Sequence, residues 1–156
     1  VTIILVMKIV EIVFGACSII GLTLMSMHLD GSALLTAGSM LPLALLYAIF
    51  SLALLNDISL KEIFRSASFK QFSTTRIIGS IAYGFAMSTS VIAIFFKANR
   101  FPGADFMLYF SLLSLLIGLT VASIHYLPKG NLKSYRPLLI RTLIWGVPVI
   151  WLIIRE

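Results

Sequence analysis

Apolar residues in this chain come in long blocks rather than in alternation, and most polar residues gather between the blocks. Five blocks stand out. The first covers 1–29, although Lys8 and Glu11 interrupt its beginning; the others cover 33–55, 77–96, 106–127 and 138–154. A helix needs about 20 mostly apolar residues to cross a bilayer, and the middle three blocks meet that length. The fifth has 17 residues and carries Arg141 one turn inside it. It spans only if that guanidinium reaches back to the interface along its aliphatic stem. Five crossings are expected rather than four. The pattern predicts an all-α fold, a single polytopic transmembrane bundle over 1–156.

The longest connection, 56–75, has a pattern of its own. Ser59 and Glu62 fit a capping box, and Leu60, Ile63, Phe64 and Ala67 recur at helical spacing. A short amphipathic helix over 60–72, lying in the headgroup layer, is expected. A plain basic linker is the alternative.

Composition agrees with the blocks: 60% of the residues are hydrophobic and 12% charged, where soluble domains carry about 25% charged residues. Charge then orients the bundle. With five crossings, Lys8, Lys61, Arg65, Lys70, Arg76, Lys129, Lys133, Arg136 and Arg141 share one side, against Lys97, Arg100 and Arg155 on the other. The positive-inside rule makes the richer side cytoplasmic. The N-terminus is expected in the cytoplasm of a bacterium, the C-terminus beyond its inner membrane. Apart from Lys8, the residues of the richer side are expected to contact lipid headgroups. The net charge of +6 is therefore assigned to lipid, and no nucleic-acid partner is expected.

A shift of 72 positions brings two helical hairpins into register, aligning Ser18 with Ser90, Ile20 with Ile92, Gly31 with Gly103, Ser39 with Ser111 and Leu41 with Leu113. The aligned glycines carry most weight, because each falls in a tight outer turn where a residue without Cβ is useful; Pro102 reinforces the second turn. A duplicated hairpin is expected, both copies in the same orientation. Tyr83-Gly84, Phe96-Lys97 and the turn Phe101-Pro102-Gly103-Ala104-Asp105 resemble the transmembrane hairpin of the gliding-motility and type IX secretion motor membrane protein of Bacteroidota. Arg100 stands where that family usually has histidine, and His28 takes the equivalent place in the first copy. The resemblance implies a bundle-forming hairpin. The chain departs from the family in having five blocks and no acidic residue inside helices three or four.

Candidate chemistry is sparse. Lys8 and Glu11 share a helix face at i,i+3 spacing, and a carboxylate inside a membrane helix is a functional candidate for ion or proton movement. An ion pair near the cytoplasmic boundary is the plainer reading and the one expected. His28 and His125 fall at opposite faces and cannot act together on a haem or a metal, and no cofactor or metal site is expected. Cys17 is the one cysteine, which excludes an internal disulfide. Cys17 with Gly21, and Gly79, Ser80, Gly84 and Ser88, provide small residues for close helix packing. Pro42 and Pro148 are expected to bend their helices, and Tyr135, Trp145 and Trp151 to anchor the last crossing. No catalytic pair is visible. The expected role is a non-enzymatic subunit that packs with other membrane proteins or with itself. The alternatives are a proton- or ion-coupled transporter or motor subunit using Glu11, and a small enzyme acting on lipid.

Overall fold

The computed structural model describes residues 2–56, 74–126 and 132–155, with side chains for 5–51, 74–124 and 135–155. Five helices account for nearly all of them: α1 Thr2–Ser26, α2 Ser32–Asn56, α3 Thr74–Ala98, α4 Ala104–Tyr126 and α5 Leu132–Ile154. No strand occurs among the described residues. Each helix contains a span of 20–25 residues long and apolar enough to cross a membrane, which supports a membrane location. The expected surface helix over 60–72 lies outside the described residues, as do Lys61, Arg65, Lys70 and Lys129 and the side chains of His125 and Lys133.

Helix α3 is the centre of the bundle. Twelve of its 25 residues are buried, a larger share than in any of the other four helices. It packs between α2 and α4 and also meets α5; α1 lies on α2, and α5 on α4. The core is built from Met40, Leu43, Met87, Val91, Ile94, Leu108 and Val149, each almost fully enclosed. Hydroxyls within the helices bond mainly to carbonyls one turn back, as Ser18 Oγ does to Phe14 O at 2.7 Å and Ser90 Oγ to Ala86 O at 2.7 Å. An apolar surrounding leaves such a group few other partners.

Two of the small residues mark where helices approach most closely. A Cβ on Gly84 would fall 1.9 Å from Ser51 Cβ and 2.7 Å from the Tyr47 carbonyl. One on Gly21 would fall 2.7 Å from Thr36 Oγ1. Ser80 and Ser88 are buried beside Gly84, and Cys17 is half-buried. Gly79 departs from the expected packing role: nothing lies within 4 Å of where its Cβ would stand. At about 100° per residue it is rotated off the face that Ser80 and Gly84 present.

The two short turns share one construction. α1 ends in a Schellman motif, with His28 N–H bonded to Met25 O and Leu29 N–H to Leu24 O, both at 3.1 Å. α3 ends the same way, with Arg100 N–H on Lys97 O at 3.1 Å and Phe101 N–H on Phe96 O at 2.9 Å. His28 and Arg100 take the left-handed position, φ 56° and 55°, which Gly or Asn usually fills. Gly31 and Gly103 follow at φ 82° and 80°. Phe101 closes the second motif by packing edge-on against Phe96, ring centroids 5.3 Å apart. Lys97 and Asp105 face each other across that turn at 2.6 Å.

The helix limits differ from the expected ones at several places, the end of α1 and the start of α5 among them. α1 stops at Ser26, because the left-handed His28 turns the chain. α5 starts six residues before Leu138, with Pro137 inside it. Pro137 is the sixth residue of α5, so it forgoes the bond to the Lys133 carbonyl and crowds it, which favours a bend within the first two turns.

Candidate functional site

Helical periodicity puts a polar residue on the inward face of four helices at one depth. Glu11 shares the inner face of α1 with Met7, Phe14 and Ser18; Tyr47 follows Met40, Leu43 and Ala44 on α2. Tyr83 neighbours Ser80 and Met87 on α3, and Arg141 lies among Leu138, Thr142 and Trp145 on α5. Glu11, Tyr83 and Arg141 each stand nine residues after their helix start, and Tyr47 nine before its helix end. At 1.5 Å per residue that is about 14 Å from one common end of the bundle. Antiparallel packing therefore brings all four to one level.

The four residues form two connected networks on α5. Arg141 grips Glu11 with both edges of its fork, Nε to Oε1 at 2.6 Å and Nη2 to Oε2 at 2.7 Å. Tyr47 Oη donates to Glu11 Oε1 at 2.9 Å, and Trp145 Nε1 donates to Tyr47 Oη at 3.2 Å. One helical turn away, Thr142 Oγ1 donates to the Leu138 carbonyl at 2.9 Å, and Tyr83 Oη reaches the same carbonyl at 2.6 Å while touching Thr142 Oγ1. The ion pair is largely shielded, with side-chain exposures of 11% for Glu11 and 15% for Arg141.

Burying two charges costs several kcal/mol each, and a bidentate pair with further hydrogen bonds is the arrangement that offsets the loss. A guanidinium does not give up its proton, so Arg141 acts as a fixed positive charge. The bidentate pair joins α1 to α5. Among the described residues no buried side-chain nitrogen or oxygen lacks a partner, and no group of three potential metal ligands occurs.

Several expectations change here. Arg141 does not reach out to headgroups: it sits six residues inside its span and points at Glu11. Glu11 takes two partners that its spacing from Lys8 does not suggest, Arg141 and Tyr47. Trp145 is buried in the network, because its N–H can be satisfied by Tyr47. Tyr135 bonds Ser123 at 2.9 Å, and Trp151 is exposed. Arg76 is half-buried and Arg136 exposed, each near the start of its helix; His28 is an exposed turn residue.

Comparison with known proteins finds no matching family model, and no curated protein or solved structure shows significant similarity to the chain.

Proposed function

We propose that this chain is a non-enzymatic membrane subunit that packs with other membrane proteins. The observation that carries the reading is the engagement of Glu11. A carboxylate inside an apolar span is the first place to look for ion chemistry, and here Arg141 and Tyr47 occupy both of its oxygens. The polar interior is spent on joining helices. The chain sits in a bacterial inner membrane with its N-terminus in the cytoplasm and its C-terminus outside, a reading supported by the division of basic residues, eight to three once Arg141 is set aside.

The bundle is a duplicated hairpin with a fifth helix added. Ser18 with Phe14 and Ser90 with Ala86 repeat one bond 72 positions apart, and both turns carry their left-handed residues at the same offset. In this register Glu11 corresponds to Tyr83, and each reaches α5. The second copy carries the resemblance to the motor hairpin, which supports membership in an assembly.

Purification in mild detergent followed by native mass measurement tests the reading. Unrelated membrane proteins at fixed stoichiometry are expected. A lone oligomer that drives solute- or ion-dependent flux in liposomes would contradict it and move Glu11 to the centre of a transport mechanism.

A further inference from the structure

A second feature lies at the far end of the bundle from residues 2 and 132. Between the ends of α1, α3 and α5 is a cleft of about 670 Å³, walled by Leu22, Met25, Ile94, Pro148 and Leu152. Its rim carries His28, Asn99, Arg100, Trp151 and Arg155, and among the described residues no carboxylate lines it. Arg155 lies over the Trp151 ring, 4.7 Å from its centroid, which holds the guanidinium at the mouth.

Basic residues commonly close helix C-termini, where they offset the helix dipole. That role accounts for Arg100 and Arg155 at the ends of α3 and α5. It does not account for their meeting around one apolar cavity. Nor does it account for His28 and Arg100 both occupying the left-handed position, where glycine would be easier. Such backbone is retained where the surroundings use the side chain.

We propose that the cleft binds a phosphate-bearing lipid, with an acyl chain along Leu22, Ile94 and Leu152 and the phosphate against Arg100 and Arg155. Guanidinium forks match phosphate oxygens and form strong charge-assisted hydrogen bonds. The apolar walls take the chain, so the site discriminates by joining two chemistries at one mouth. The proposal rests on the membrane location and not on the subunit reading, and it is tested on the isolated chain.

The purified chain is stripped of lipid in detergent and titrated with phosphatidylglycerol, diacylglycerol or inorganic phosphate under native mass spectrometry. One phosphatidylglycerol per chain is expected, at a concentration about tenfold below that needed for diacylglycerol. The double variant R100Q/R155Q should lose about tenfold in phosphatidylglycerol affinity, with its circular dichroism unchanged. R136Q, whose side chain lies outside the cleft, should leave the affinity of this one-lipid site unchanged, and inorganic phosphate should neither bind nor displace the lipid. Equal binding of diacylglycerol would reduce the cleft to a passive filling of apolar space. Equal losses in R136Q and the double variant would reduce it to diffuse charge. Displacement by inorganic phosphate would make the ligand a soluble anion. Each of these results overturns the proposal.

Discussion

Arg141 closes a two-pronged ion pair on Glu11 across 130 positions of sequence, and so ties the fifth described helix to the first. Neither helix is continuous with the other in the chain, and α1 otherwise leans on α2. The pair is a cross-link whose worth lies in register as much as in energy.

Tyr47 is the hinge of the network, since it donates to Glu11 and accepts from Trp145. Tyr47→Phe keeps the ring and removes the hydroxyl, leaving the buried Trp145 N–H without its acceptor. A loss of about 1–2 kcal/mol is expected, read as a lower midpoint in detergent-titration unfolding. An unchanged midpoint would mean that Trp145 finds another partner.

Much of this architecture was legible in the blocks: five spans, both tight turns, and Gly21 and Gly84 as contact points follow from length, glycine placement and small-residue spacing. The network was not. Arg141 interrupts a block near its start, and the local sequence offers lipid as its nearest partner. The available signal was depth. Glu11 and Arg141 lie equally far along two helices that run the same way, and opposite charges at matching depth have reason to meet. Tyr47, Tyr83 and Trp145 were hidden because aromatic residues in apolar runs are ordinarily packing groups, and only the fold reveals their polar ends converging.

Gly84 and Gly79 make a matched pair for testing the packing. Gly84→Ala forces a methyl group into Ser51 and the Tyr47 backbone, so α2 and α3 must separate, at a cost of about 3 kcal/mol. Gly79→Ala meets nothing within 4 Å and gains helix propensity, for a change of about +1 kcal/mol in favour of the folded state. Parallel unfolding measurements check both signs; equal effects would refute the assigned α2–α3 contact.

Arg100→Gly should stabilise the chain by about 0.5 kcal/mol, since relief of the left-handed cost exceeds the entropy that glycine loses on folding. The same substitution should weaken phosphatidylglycerol binding. Gly103→Ala, at φ 80°, should destabilise by about 1 kcal/mol. Thermal midpoints beside lipid titrations would separate the two effects for Arg100.

Orientation is open to labelling. With Cys17 replaced by serine, single cysteines at Asn99 and Arg136 should react with an impermeant maleimide from opposite faces of the membrane, Asn99 from outside. Reaction of both from one face would contradict the five-span topology.

A double-mutant cycle on Glu11 and Arg141 bears most directly on the central claim, that the buried carboxylate holds helices together. E11Q and R141Q each leave one charged group in an apolar bundle and should cost about 3–5 kcal/mol. The double variant removes both charges and should recover at least about 2 kcal/mol of the summed loss, together with normal association with partner subunits. If E11Q instead keeps full stability and membrane abundance while proton-coupled activity disappears, and the double variant recovers nothing, Glu11 carries ions and the structural account fails.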